Sequence, residues 1–197
     1  MPYLDNDSLK RLAFANQGMN LRISDKASIF NAEKMSFGHN VRIDDFVCLS
    51  GEIHFGNNIH IANFCVINAS DKRIIFEDFS GLAYGCIVMA SSDDYSGNSL
   101  TNPMNDIEFK EIHSGDVTIG RHVIVGTNSV IGPGVTLSEG SAIGALTFVN
   151  QSTESWSIYG GIPAKRIKER TNKVLELEEA QELLRRNKHS RGDSIQH

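Results

Sequence analysis

Two residue types are scarce in this chain of 197 residues, and a third pattern is missing. The chain holds only 3 cysteines. Cys48, Cys65 and Cys86 show neither CxxC nor zinc-ribbon spacing, which argues against a disulfide framework and a structural zinc site. An odd number of cysteines set in apolar strings reads as reduced core thiols and points to the cytoplasm. No apolar run reaches the length of a bilayer span, so direct membrane insertion is not expected. The opening Met1-Pro2-Tyr3-Leu4-Asp5 lacks the basic and apolar regions of a signal peptide. Proline is also rare, 4 residues against 17 glycines. Charged residues at 22% and apolar residues at 40% exclude global disorder. The 24 acidic and 19 basic side chains leave a net −5, which argues against a nucleic-acid partner.

What is abundant is a six-residue repeat. An aliphatic residue opens each unit at Ile119, Val125, Ile131, Leu137, Ile143 and Val149. The same frame upstream gives Phe37, Ile43, Leu49, Phe55, Ile61 and Ile67, then Phe76, Leu82 and Val88. Glycine often takes the second place. Asn or Gly often takes the fourth, as at Asn40, Asn58, Gly85, Asn128, Gly134 and Gly140, types that tolerate a left-handed corner. Phe46 and Phe64 break that rule and are expected to stack on each other, one coil apart. The pattern predicts an all-β solenoid: short strands joined at sharp corners, three hexads to a coil, first positions stacked inward, and coils paired through parallel ladders. A β-sandwich would show less regular spacing, nearer 8–12 residues.

The frame resembles the left-handed parallel β-helix of hexapeptide-repeat acyltransferases, over about residues 23–170. The resemblance supplies the left hand; general crossover preferences would not. It implies an acetyl-CoA-dependent acetyltransferase that acts on a hydroxyl or amine of a sugar, either a nucleotide sugar or a unit of a surface polysaccharide. It also implies a homotrimer. An acyl-ACP donor and a non-enzymatic scaffold are the alternatives. The single terminal helix argues against the first. The outward slots Arg42, Cys48, His54, His60, Val66 and Lys72 carry no threonine array of an ice-binding kind.

The expected organisation is a helical segment over 1–20, the β-helix over 21–160 with a long loop at 94–112, and an ending over 161–197. Residues 5–17 read as a short helix capped by Asp5 or Asp7 and stopped by Gly18. Residues 171–187 read as a second helix with Val174, Leu177, Ala180 and Leu184 on one face, and the last ten residues as a frayed tail. A three-residue insertion is placed near Arg73–Ile75. The long loop is the natural place for function.

Acyl transfer by direct attack needs a base, an oxyanion donor and a leaving thiolate. In the resembling sugar acetyltransferases the base is a histidine in the slot before the long loop, and here that slot holds Asp93. Repulsion from Asp94 would raise one carboxylate's pKa, whereas the alternative is a pair of aspartates capping loop amides. His60, with Arg42 below it and Gly81 above it in the column, is a second candidate, ahead of His54. His113, where the loop rejoins the prism, is a third. Arg42, Tyr95 and Asn102 are candidate acceptor contacts. His39 and His122 fall at corners, and His189 and His197 in the tail; all four are expected to be structural or solvated. The histidine spacings do not match the zinc-binding carbonic anhydrases that share this fold, so no metal is expected.

The donor site resembles that of the family at Gly126, Thr127, Ala145 and Thr147, for the pantetheine arm. It continues into the ending Gly161-Ile162-Pro163-Ala164-Lys165-Arg166, which borders the adenine and 3′-phosphate. Pro163, Ala164, Lys165, Arg166, Lys168 and Arg170 are its candidate contacts. The alternative is that Pro163 ends the prism and the cations cap carbonyls of the last turn. Charge supports the donor reading: residues 1–160 hold 10 basic and 18 acidic side chains, and residues 161–197 hold 9 and 6. Outward Cys48, Val66 and Ile87 make one face apolar, which suits subunit packing.

Overall fold

The computed structural model describes residues 2–190, with the side chains of 185–190 excepted. The tail that includes His197, and the His189 side chain, lie outside the described residues. The chain winds as a three-faced parallel solenoid. The first face stacks Ser28–Phe30, the starts of Cys48–Phe55 and Val66–Phe76, then Ile87–Met89, Val130–Ile131 and Phe148–Val149. The second stacks Asn16–Gln17, Ser36–Phe37, the ends of the same two long strands, Val117–Ile119 and Thr136–Leu137. The third stacks Arg22–Ile23, Val41–Ile43, Ile59–Ile61, Gly81–Leu82, Ile124–Val125, Ala142–Ile143 and Ser157–Gly160. An antiparallel strand, Lys165–Glu169, closes that last face.

The repeat dictates this shape directly. Side chains alternate in and out along a strand, so every first-position residue points to the axis. Ile43, Ile61, Leu82 and Val125 are buried on the third face, and Leu49, Ile67, Val88 and Ile131 on the first. The second face carries an aromatic column. Phe14 meets Phe37 edge-on at 4.7 Å, and Phe37, Phe55 and Phe76 then stack at 4.9 and 5.0 Å. Such pairs contribute about 0.5–1.5 kcal/mol each beyond the area they bury.

Corners bend through left-handed residues, as the fourth-position rule requires. Between the second and third faces these are Asn20, Asn40 and Asn58, whose amides form a ladder. Asn20 Nδ2 donates to Asn40 Oδ1 at 2.9 Å, and Asn40 Nδ2 to Asn58 Oδ1 at 3.2 Å. Higher up, the same corner is built from Phe79, His122 and Trp156, all at positive φ, with the Phe79 and His122 rings 5.2 Å apart. At the corner between the third and first faces, Phe46 and Phe64 stack at 5.2 Å, as the eighteen-residue spacing predicts.

Three local expectations need correction. The first helix, α1 (Asn6–Leu12), is capped by the Asp5 carboxylate, which accepts from Ser8 N at 2.7 Å. It ends at Ala13 in the left-handed region, not at Gly18. Gly18 already belongs to the first coil, donating its N–H to Phe37 O. The three-residue insertion lies between Asn68 and Arg73, because Ser50 pairs with Asn68 but Glu52 with Arg73. The second helix, α2, runs Val174–Ser190, and its expected apolar face is not a buried one. Leu177 and Leu184 are exposed, and among the described α2 side chains Glu178 is the buried one.

Candidate functional site

The long loop leaves the prism between its first and second faces on an antiparallel ribbon of Ser91–Asp93 against Ile112–Ser114. Asp94 is buried at its root. It accepts from Ser96 N at 3.0 Å, from the Ser96 and Ser99 hydroxyls, and lies 3.6 Å from His113 Nε2. These hydrogen bonds, those from Ser96 first, hold its carboxyl below the ordinary range. Of the two neighbouring carboxylates, Asp94 is therefore not one that like-charge repulsion raises: aimed donors outweigh the like charge there. Asp94 is the loop-capping aspartate of the alternative, and His113 is its partner.

Asp93 is less committed. Its Oδ2 accepts from the Asn102 backbone N–H at 2.9 Å, and its Oδ1 lies 3.5 Å from Lys110 Nζ, whose side chain is buried. Asn102 works through its backbone here, while its side-chain oxygen accepts from Met104 N. Tyr95 stands 91% exposed beside this cluster. The loop also presents Met104, Ile107 and Phe109 to solvent.

His60 sits on the third face, where its column neighbours are Arg42 and Gly81 as expected. Its Nε2 donates to Asp44 Oδ2 at 2.8 Å, because an ionised carboxylate can only accept, and this leaves Nδ1 as the basic atom. Asp44 is 4% exposed and also accepts from Arg42 Nε at 2.6 Å. Arg42 is thus tied to Asp44. His54, on the second face, has both nitrogens occupied: Nδ1 accepts from Ser36 Oγ at 2.7 Å and Nε2 donates to Glu52 at 3.0 Å. The structure does not bring His60 and Asp93 together within one chain, since they lie on different faces of the prism.

His60 opens onto a cavity of about 620 Å³ on the third face, roofed by Val174 and Leu177 of α2 and walled by Phe79, Tyr84 and Ile124. At its far end Glu178 accepts from His122 Nε2 at 2.8 Å and pairs with Arg121. His122 is therefore a buried partner of α2. Asp44, Lys110 and Glu178 were absent from the sequence reading. Among the described residues, no cluster of three or more His, Cys, Asp or Glu side chains is arranged to hold a metal ion.

The donor residues fall at the corner between the third and first faces. Tyr84–Gly85, Thr127–Asn128 and Ala145–Leu146 stack in successive coils there: Asn128 N donates to Tyr84 O, and Leu146 N to Thr127 O, each at 2.9 Å. Gly126 allows close coil contact, since a Cβ on it would come within 2.5 Å of Ala145 N. Two expected donor contacts are held inside the fold instead. Thr147 is buried, and its Oγ1 accepts from Gly161 N at 3.3 Å. Arg170 donates to the carbonyls of His122 and Gly140 at 2.8 and 3.0 Å, and burial lowers its pKa. That is the carbonyl-capping alternative, realised at one residue. Arg166 is shared between Ser157 Oγ and Glu154. Pro163, Lys165 and Lys168 lie exposed along the closing hairpin, and Ala164 is half-buried, its N–H donating to Phe148 O.

A three-faced parallel prism, a loop-bearing corner with carboxylates at its root and a stacked corner column running to a cationic ending together define the class of solenoid acyltransferases. Comparison with known proteins agrees. No protein-family model matches the chain. A curated relative from Escherichia coli, dTDP-4-amino-4,6-dideoxy-D-glucose acyltransferase, is 44% identical over 181 residues, covering 90% of this chain and 94% of that protein. The crystal structure of AntD, an N-acyltransferase from Bacillus cereus in complex with dTDP and 3-hydroxybutyryl-CoA, superposes with a TM-score of 0.90 at 40% identity, covering 93% of this chain and 96% of that one. A galactoside acetyltransferase in complex with coenzyme A shares the fold, with a TM-score of 0.53 at 20% identity, covering 85% and 70% of the two chains. The chain belongs to the hexapeptide-repeat sugar acyltransferases, with the left-handed parallel β-helix of that family, and it is an enzyme.

Proposed function

We propose that this enzyme transfers a short acyl group, acetyl in the simplest case, from acyl-CoA to the 4-amine of a dTDP-linked 4-amino-4,6-dideoxyglucose. The observation that carries this reading is the 44% identity, over nine-tenths of the chain, to a relative named for that acceptor. The amine nitrogen attacks the thioester carbonyl, a C–N bond forms, the C–S bond breaks, and the ammonium proton leaves to a base while coenzyme A departs as thiolate. Asp93 is the proposed base, because it has fewer donors than Asp94 and stands at the loop root. His60, oriented by Asp44, is the second candidate. Gly126, Thr127 and Ala145 line the path of the pantetheine arm, and Lys165, Arg166 and Lys168 face the donor phosphates. Thr147 and Arg170 shape that site from within.

The same reading makes the enzyme a cytoplasmic homotrimer whose division is a helical segment, a prism and a donor-site ending. The first face supports the trimer, since Cys48, Val66, Ile87, Val130 and Phe148 form one outward apolar column. Among the described residues no helix is long and apolar enough to cross a membrane. The test is incubation with dTDP-4-amino-4,6-dideoxyglucose and either acetyl-CoA or 3-hydroxybutyryl-CoA, read by mass spectrometry. An N-acylated nucleotide sugar is expected, and no product from either donor would overturn the assignment.

A further inference from the structure

Phe64 is anomalous in three ways at once. It is 59% exposed, its backbone is left-handed at φ +66°, and, like Phe46 below it and Leu146 higher up, it departs from the Asn and Gly that hold this corner at Gly85 and Asn128. A bulky side chain rarely adopts that conformation, and an exposed aromatic ring gains little from water. Below it the column is filled: Phe46 stacks on it, and Lys26 Nζ lies 5.6 Å from the Phe46 ring. Above it the next coil supplies Gly85, which has no side chain to cover the ring. Asn128 leans into the space from the coil above that, its Oδ1 only 2.2 Å from where a Gly85 Cβ would stand. Tyr84, 59% exposed, is the neighbouring wall. The space that Gly85 leaves without a side chain above the Phe64 ring, with the Asn128 amide as the next side chain up the column, is the slot.

The position of the slot follows from the donor column. If the pantetheine arm descends from the cationic ending past Ala145 and then Gly126 and Thr127, its thioester arrives at the level of Tyr84 and Gly85. The acceptor must then lie at or just below that level, on Phe64. We propose that Phe64 is the platform for the acceptor's hexose ring and a determinant of specificity for the 6-deoxy sugar. This rests on the acceptor reading above. The C–H bonds on one face of a pyranose are attracted to the negative face of an aromatic ring, and a C6 methyl group gains apolar contact where a C6 hydroxyl would have to lose water. The Asn128 amide, both donor and acceptor, can bond the hydroxyls on the opposite face.

The experiment compares two acceptors, dTDP-4-amino-4,6-dideoxyglucose and its 6-hydroxy counterpart, with acetyl-CoA as donor. The wild-type enzyme is expected to favour the 6-deoxy sugar in kcat/KM by at least about tenfold, the range for one methyl group in apolar contact. Phe64→Asn, which suits the left-handed corner, should lower kcat/KM on the 6-deoxy sugar about tenfold and bring the two sugars to near parity. The KM for acetyl-CoA should stay unchanged, Phe64→Tyr should restore the preference, and Phe46→Asn, whose ring does not face the slot, should keep it. Preference retained in Phe64→Asn overturns the proposal. So does dissociation of the Phe64→Asn enzyme into monomers on gel filtration, because the ring would then be subunit packing. A wild-type enzyme that acylates both sugars equally overturns this inference alone, and one that acylates neither overturns the acceptor reading along with it.

Discussion

Glu178 is the residue through which α2 is held, and its removal should free the helix while the prism stays folded. The carboxylate is 7% exposed and receives the His122 Nε2 proton at 2.8 Å and the Arg121 guanidinium. In Glu178→Ala the His122 N–H is left buried between Phe79 and the helix without an acceptor, which costs about 1–3 kcal/mol. Arg121 is 40% exposed and can turn to water, so its loss adds at most about 1 kcal/mol. A total near 2 kcal/mol corresponds to a shift of about thirtyfold in the docked-to-undocked ratio of α2. The described apolar side chains of α2 add little, since Leu177, Leu183 and Leu184 are exposed and Val174 and Leu175 only half-buried. The prism keeps its own core, so the unfolding transition should move by only a few degrees. Hydrogen exchange read by mass spectrometry is the assay: amides of Val174–Leu184 should lose protection about thirtyfold while those of the parallel ladders do not change. Unchanged protection in α2 would refute the reasoning, and so would a collapse of protection in the ladders together with the helix. Glu178→Gln, which keeps an acceptor for His122, should fall between the two.

Three other outcomes are expected. Asp93→Asn should lower kcat by about a hundredfold, the loss usual for a general base, and His60→Ala, the second candidate, by less than about tenfold; full activity in both, measured by thiol release, would remove both residues from the base role. The Asp94 carboxyl titrates below its unfolded value of about 3.9, so its hold on the loop is complete above that pH and is lost only as the pH falls through the depressed value. Proteolysis within 94–112 should therefore stay slow at pH 5, whereas Asp94→Asn should make the loop susceptible at every pH. Phe55→Ala empties the middle of the aromatic column between Phe37 and Phe76 and should cost about 3–5 kcal/mol, lowering the melting temperature by about 10 °C in a thermal melt followed by circular dichroism.

The prism was legible in the chain because its rule is local. Whether a side chain points in or out depends on its place in a six-residue unit, so Ile43, Leu49 and Phe55 declare three successive faces without reference to anything distant. The corner rule is equally local, which is why the Asn40 and Asn58 corners and the Phe46–Phe64 stack could be read in advance. Helix ends were less legible, since Gly18 suggested a stop and the chain instead turned at Ala13, whose N–H closes on Lys10 O.

The site is another matter. His60 could be placed on its face and beside Arg42, but Asp44, which sets its tautomer, lies 16 residues away and only coil pairing brings them together. Glu178 and His122 are separated by 56 residues, and nothing in a polar helix marks which glutamate will be buried. Asp93 and Asp94 were adjacent in sequence and alike in type, yet tertiary structure divided their roles by aiming the serine donors at one of them. The coiled fold and its cationic ending could be read along the chain, because both follow from periodicity and charge in consecutive residues. Which polar groups are buried together emerges with coil packing, since hydrogen-bond geometry and desolvation act across space.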